Sequence, residues 1–118
     1  MTTVKQFLAA LAVVESSNDS EAWGDDGRAM GRWQVHPDRV WSESRLRRVA
    51  PNLGETWDSW IGRILTVIFK GLYPVESPVA IAMYWHLGHF SKPDATDWDE
   101  DYAAKFTAAL KAAGSDGI

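Results

Sequence analysis

The chain has 118 residues, a formal net charge of −4 and no cysteine. Its length suits one domain, its seven tryptophans and its apolar fraction of 46% argue for a folded globule, and the missing cysteines exclude disulfides and cysteine-ligated zinc. The negative net charge argues against general nucleic-acid binding, which requires a cluster of basic residues. No segment holds the roughly 20 consecutive apolar residues of a membrane span.

The first predicted helix covers residues 3–16, and Thr2 or Thr3 can cap its start. Its apolar residues recur at the i, i+3, i+4, i+7 spacing of a buried helical face, namely Val4, Phe7, Leu8 and Leu11. At about 100° per residue, Glu15 lies within about 40° of that face. Partial burial would raise the pKa of this carboxyl group, as a general acid at neutral pH requires. The helical pattern alone fits a solvated glutamate at a fraying helix end equally well.

A polar segment, residues 16–32, follows this helix. It is dense in residues that mark turns and tolerate positive φ, and these are Asn18, Asp19, Gly24, Asp25, Asp26, Gly27 and Gly31. An EF-hand is a poor fit, because the alternating ligands, the glycine at the sixth position and the closing glutamate are missing. Taken alone, the segment is an ordinary surface loop. Residues 32–36 are predicted to form a short extended piece, paired with the loop in a small hairpin.

Two helices are expected in the middle of the chain, over residues 37–48 and from a cap at Thr56 to about Leu72. In the first of them, the inward-facing residues are expected to be Val40, Trp41 and Leu46. The second keeps the 3.6-residue period over four turns with Trp57, Trp60, Ile61, Ile64, Leu65, Ile68 and Leu72. This longest helix is therefore predicted to lie in the core.

Two more helices complete the chain. Ser77 as a cap, with Pro78 at the first helical position, predicts a helix that Gly88 ends. Residues 79–87 are apolar almost all round, so this helix should be buried. The last helix starts at residues 99–101, and its inward side chains are predicted to be Tyr102, Phe106, Ala109 and Leu110. The expected fold is mainly α, a single domain over residues 1–118 with about five helices and at most a small β-hairpin.

Tyr84 and His86 carry the polar groups near the end of the buried helix. A buried tyrosine hydroxyl needs a hydrogen-bond partner, and a nearby carboxylic acid would serve. His86 and His89 stand three residues apart and can share a helix face. Their spacing indicates no third ligand, so we expect no metal site.

Three motifs lie between the first helix and Gly88: Glu15-Ser16, Gly-Asp-Asp-Gly-Arg-Ala-Met-Gly-Arg-Trp-Gln-Val at residues 24–35, and Tyr-Trp-His-Leu-Gly at residues 84–88. Together they resemble the lysozyme-like superfamily, especially soluble lytic transglycosylases and phage-type lysozymes. The first is similar to the family's Glu-Ser catalytic motif, and the second to its Gly-Asp-x-Gly-x-Ala-x-Gly-x-x-Gln-Ile element in the sugar cleft. The third stands where the family has Tyr-Asn-x-Gly or His-Asn-Gly-Gly, with either Trp85 or His86 in place of the asparagine.

This resemblance implies a lysozyme-like fold, with the hairpin in the cleft, and cleavage of the β-1,4 bond between N-acetylmuramic acid and N-acetylglucosamine in peptidoglycan. Glu15 would protonate the glycosidic oxygen. A hydrolase usually needs a second carboxylate, for which Asp25 and Asp26 are candidates, whereas a lytic transglycosylase uses the muramoyl 6-hydroxyl and forms a 1,6-anhydro product. Both outcomes stay open. The resemblance implies that the substrate-binding residues are Gly31, Trp33, Gln34, Tyr84 and His86.

The same resemblance implies a cofactor-free enzyme whose partner is the glycan strand, and we expect a monomer. The acidic charge and the lack of a long apolar run argue against nucleic-acid binding and stable membrane insertion. The N-terminal apolar stretch, residues 7–14, is followed by Glu-Ser-Ser rather than by a small-residue cleavage site, so no secretory signal is expected. We therefore expect a phage endolysin, made in the cytoplasm and delivered to the wall by a holin-type partner or as part of a virion. The alternative is a catalytically inactive relative that serves as a wall-binding or structural module.

Overall fold

The computed structural model describes residues 1–24 and 27–116. This part of the chain forms five helices and a two-stranded antiparallel hairpin, in the order α1 (Val4–Ser16), β1 (Trp23–Gly24), β2 (Ala29–Met30), α2 (Pro37–Arg47), α3 (Trp57–Leu72), α4 (Pro78–Leu87) and α5 (Glu100–Ala112). The predicted mainly α organisation with one small hairpin is confirmed. No helix in the described residues is long and apolar enough to cross a membrane.

Side-chain caps explain where the helices begin. The capping side chains at the starts of α1, α3, α4 and α5 are Thr3, Thr56, Ser77 and Asp99. At α1 the cap is reciprocal, because Gln6 hydrogen-bonds back to the backbone N–H of the capping threonine. Gly88 ends α4 with φ at 86°, a conformation that costs glycine little. The predicted helix boundaries are confirmed to within about one residue.

The core is built around α3, with α1 packed mainly against α5. The buried side chains of α3 are Trp60, Ile61, Ile64, Leu65, Ile68 and Phe69. Phe7 of α1 contacts Phe69 and also Phe106 of α5, with ring centroids 4.6 and 5.7 Å apart. This three-ring cluster fixes the position of α1 relative to α5.

The prediction of an extended piece over residues 32–36 is wrong. Residues 31–34 form a turn, with Gln34 at φ 45°, and the hairpin instead pairs residues 23–24 with residues 29–30. Val35 contributes an isolated bridge to Met30. The turn lets Trp33 enter the core, where its indole N–H donates to the carbonyl oxygen of Leu8 at 3.0 Å. The free energy gained by burying this large ring exceeds what the predicted extended pairing would contribute.

The predicted inward face of α2 is only partly correct. Val40 is buried, but Trp41 and Leu46 are 48% and 68% exposed. Glu43 is buried instead, because its Oε1 accepts a hydrogen bond from the Tyr84 hydroxyl at 2.6 Å. Burial of a carboxylate becomes tolerable when it is paired in this way. A rule based on apolar spacing cannot detect such a residue.

Candidate active site

A polar pocket of about 310 Å³ opens where α1, the hairpin, α2 and α4 meet. The described residues that line it are Glu15, Ala29, Gln34, Val35, His36, Arg39, Trp85 and His86. Its volume lies at the small end of the range for small-molecule sites. Three regions that are distant in sequence thus converge on one concave surface.

Glu15 reaches this pocket from the last turn of α1. Its side chain is half-buried, and Oε2 accepts a hydrogen bond from the Tyr102 hydroxyl of α5 at 2.6 Å. Burial raises the pKa of Glu15 above its ordinary value, whereas the Tyr102 hydrogen bond and the charges of His86 and Arg39 act in the lowering direction. The net shift is upward. Glu15 therefore holds its proton to a higher pH than a solvated glutamate does.

Tyr102 is held in place by the end of α4 and the start of α5. The His86 ring stacks on the Tyr102 ring, with centroids 3.9 Å apart and an interplanar angle of 8°. His86 Nε2 lies 3.1 Å from Oδ2 of Asp99, and the other oxygen of Asp99 accepts from the Tyr102 backbone N–H at 3.0 Å. This arrangement aims the Tyr102 hydroxyl at Glu15. Burial, with the neighbouring Glu15, raises the pKa of Tyr102, so the hydroxyl remains a donor.

The apolar pattern of the last helix predicts that Tyr102 faces inward, but it does not assign this residue to the site. The signal was available, since a buried tyrosine hydroxyl requires a partner. The sequence points to such a carboxylic acid partner only for Tyr84. In the described part of the chain, the Tyr84 hydroxyl pairs with Glu43 and the Tyr102 hydroxyl pairs with Glu15.

The other predicted site residues fall into three groups. Gln34 and His86 lie in the pocket wall with Glu15, whereas Gly31, Trp33 and Tyr84 lie outside the described lining. Asp25 and Asp26, the candidate second carboxylates, lie outside the residues that the structure describes. Their role stays a prediction.

Gln34 joins the pocket to the base of the hairpin. Its amide nitrogen donates to the carbonyl oxygens of Ala22 at 3.2 Å and Gly31 at 2.9 Å. Because its φ of 45° lies in the left-handed region, this residue carries backbone strain that the hydrogen bonds offset. Gln34 therefore fixes the turn that forms one side of the pocket.

Gly31 and Trp33 have packing roles in this structure. A Cβ on Gly31 would lie 2.7 Å from Oδ1 of Asp58 and 2.9 Å from the Trp57 ring, and φ is 83°. Trp33 is only 7% exposed, and its carbonyl oxygen accepts from the Trp85 indole N–H at 3.0 Å. The Trp33 backbone thereby positions Trp85 in the pocket wall.

The two histidines of the predicted helix end face different carboxylates. His86 Nε2 faces Asp99, and His89 Nε2 contacts Asp97. Within residues 1–24 and 27–116, no group of three or more potential metal ligands is assembled.

We expect Tyr84→Phe to destabilise the fold by about 1–3 kcal/mol, because a buried carboxyl oxygen of Glu43 loses its donor. Urea unfolding measures this loss. The double variant Tyr84→Phe with Glu43→Gln should recover part of it, since the amide leaves no buried charge. A loss below about 0.5 kcal/mol in the single variant would contradict a structural role for this pair.

The pocket thus combines a half-buried carboxyl group, a tyrosine hydroxyl that orients it, and an amide, a guanidinium and imidazoles nearby. Comparisons with protein-family models, curated protein sequences and solved structures found no match to this chain. Membership of the lysozyme-like superfamily therefore stays a prediction, and its support is the three sequence motifs.

Proposed function

We propose that this protein is a glycosidase that cleaves the β-1,4 bond between N-acetylmuramic acid and N-acetylglucosamine, with Glu15 as the general acid. The observation that carries the proposal is the half-buried carboxyl group of Glu15 in a polar pocket, oriented by the Tyr102 hydroxyl. Burial raises its pKa, which favours the protonated form that an acid catalyst needs.

The hydrogen bond from Tyr102 assigns different roles to the two oxygens of Glu15. A protonated carboxyl group has one oxygen that donates and one that accepts. Because the Tyr102 hydroxyl donates to Oε2, the proton belongs on Oε1. That oxygen would protonate the glycosidic oxygen as the bond breaks through an oxocarbenium-like transition state. In the anhydro-forming reaction, the resulting carboxylate of Glu15 would then act as the base: it would take the proton of the muramoyl 6-hydroxyl while that oxygen bonds to the anomeric carbon.

The choice of peptidoglycan as substrate depends on the three sequence motifs and on the polar groups around Glu15. Gln34, His36 and His86 bring amide and imidazole groups to the pocket wall, and these groups suit sugar hydroxyl and acetamido groups. The site of action would be the bacterial wall, reached with a holin-type partner or as part of a virion. The first test is a fall in the turbidity of purified walls. Binding to walls without clearing would indicate the inactive wall-binding module instead.

Two reaction outcomes fit this acid. Among the described residues that line the pocket, Glu15 is the one carboxylate, and a lytic transglycosylase needs no second one. A hydrolase would draw its second carboxylate from Asp25 or Asp26. Severe loss of activity in Asp25→Asn or Asp26→Asn would favour hydrolysis, and full activity in both would favour the anhydro-forming reaction.

Tyr102→Phe should move the alkaline limb of the pH–activity profile to higher pH. The hydrogen bond from the Tyr102 hydroxyl lowers the pKa of Glu15. Its removal therefore raises that pKa further, and the acid stays protonated up to a higher pH. The matched control is Tyr73→Phe, because the Tyr73 hydroxyl accepts from the Thr2 backbone N–H, away from the pocket. Wall clearing measured across pH gives the result, and an alkaline limb that stays in place would contradict this role of Tyr102.

Glu15→Gln should stabilise the fold relative to wild type at neutral pH but not under acid conditions. Since the folded-state pKa of Glu15 is raised, its favourable contribution is complete below the unfolded pKa of about 4.3 and is lost as the pH rises through the folded value. The gap in Tm between the variant and wild type should therefore widen from pH 4 to pH 7. Glu21→Gln, at an exposed glutamate, is the control. A gap that is constant with pH would contradict the burial of the Glu15 charge.

A further inference from the structure

The face of α2 that points away from the Glu15 pocket combines exposed apolar side chains with arginines. At about 100° per residue, Trp41 lies about 160° around the helix from Arg39, which lines that pocket. Two depressions of about 460 and 340 Å³ meet on this face, and Arg48 and Ala50 line both of them. We call this surface the Trp41 patch, and its exposed residues are Trp41, Arg45, Arg48, Ala50, Pro51 and Val67.

Large apolar side chains lie open to solvent in and beside the Trp41 patch. Trp41 is 48% exposed and Val67 is 40% exposed, and Leu53 in the adjoining loop is fully exposed. The Trp41 ring packs edge-on against the buried Trp60 ring, with centroids 5.0 Å apart. The indole N–H of Trp60 donates to a backbone carbonyl oxygen, whereas that of Trp41 has no hydrogen-bond partner in the described part of the chain. A fixed, half-exposed indole with a free N–H suits the boundary between water and lipid.

The two arginines of the Trp41 patch keep their positive charge unpaired. Among residues 1–24 and 27–116, neither Arg45 nor Arg48 has an ion-pair partner within 4 Å. The glutamates on either side in sequence, Glu43 and Glu55, pair with other arginines at 3.3 and 2.7 Å. Because the whole chain has a net charge of −4, an anionic surface repels most of the molecule and attracts this face.

We propose that the Trp41 patch binds reversibly to the surface of an anionic phospholipid bilayer, without crossing it. The arginines would contact lipid phosphates, while Trp41 and Leu53 would enter the headgroup region. The exposed leucine favours a bilayer over a soluble polyanion, because a polyanion in water offers no apolar region in which to bury it. With this face on the bilayer, the Glu15 pocket points away from the lipid. Membrane binding of this kind does not depend on any activity at Glu15.

Sedimentation with vesicles tests this binding on the whole protein at low ionic strength. Vesicles that contain phosphatidylglycerol should carry the wild type down, and vesicles of phosphatidylcholine alone should not. Arg45→Gln with Arg48→Gln should weaken binding about 10- to 30-fold, as for two arginines removed from an anionic surface. Lys5→Gln with Lys111→Gln makes the same charge change on exposed residues of α1 and α5, and it should bind as the wild type does.

Leu53→Ser tests the apolar contact and carries the test if the arginine variant fails to fold, since this side chain is fully exposed. It should weaken vesicle binding about 3- to 10-fold, as for partial burial of a leucine. Val75→Ser is the matched control, because Val75 is 91% exposed and lies outside the Trp41 patch. It should leave vesicle binding unchanged.

Three results would overturn the proposal. The first is failure of the wild type to sediment with phosphatidylglycerol vesicles. The second is equal sedimentation of the wild type, the double arginine variant and Leu53→Ser. The third is release of the wild type from these vesicles by long-chain inorganic polyphosphate that Leu53→Ser binds equally well, since this would assign the Trp41 patch to a soluble polyanion.

Discussion

Glu15→Gln should reduce the rate of wall cleavage by about 10²- to 10⁴-fold, the usual contribution of a general acid. Glutamine keeps the size of the side chain and can still accept the Tyr102 hydrogen bond, but it has no proton to give at neutral pH. The loss should therefore appear in kcat while substrate binding is retained. Initial rates of turbidity loss with purified walls measure the change.

The control for this variant is Glu21→Gln, which alters the same functional group on an exposed loop residue. It should clear walls at the wild-type rate. Far-ultraviolet circular dichroism of both variants establishes that the helices are intact. Equal clearing by wild type and Glu15→Gln would remove Glu15 from the chemistry.

Phe7→Ala should cost about 3–5 kcal/mol of folding free energy, the range typical of truncating a fully buried phenylalanine. Phe7 is fully buried and contacts the rings of Phe69 and Phe106. Its removal leaves a cavity at the junction of α1, α3 and α5. Because α1 carries Glu15 and α5 carries Tyr102, loosening this junction should also reduce wall cleavage in the folded fraction.

Urea unfolding of Phe7→Ala measures the first effect, and Phe90→Ala is the matched control. Phe90 is 55% exposed and contacts the Tyr84 ring from outside, with centroids 4.5 Å apart. Its truncation should cost about 1 kcal/mol or less. A loss of under 1 kcal/mol for Phe7→Ala would show that the three-ring cluster does not hold the two helices together.

The helices were predictable because their signals are local. Apolar spacing located α1 and α3, and capping residues such as Thr56 and Ser77 set the boundaries. The prediction failed where a long-range contact decided the outcome. Glu43 is buried because Tyr84, 41 residues away, donates to it. The segment after the hairpin turns inward because the indole N–H of Trp33 donates a hydrogen bond to the carbonyl oxygen of Leu8.

The candidate site was predictable only in part for the same reason. Helical phase indicated that Glu15 turns toward the interior, and the structure shows it half-buried. Its partner Tyr102 stands 87 residues later in the chain, and no local pattern connects the two. Arg39 lies in an otherwise ordinary polar helix, so only the fold shows that its guanidinium reaches the pocket. Periodicity finds a buried face, but it does not say which helices meet there.

The most direct test of the account is the mass of the glycan fragments that the protein releases from purified peptidoglycan. We expect wild-type protein to release fragments with new ends at N-acetylmuramic acid, and Glu15→Gln to release essentially none. The anhydro product lacks one water relative to the hydrolysis product, so the same spectrum decides the reaction outcome. Identical fragments from both proteins, or none from a wild-type protein that binds the strands, would contradict the assignment of Glu15 as the acid of a peptidoglycan-cleaving enzyme.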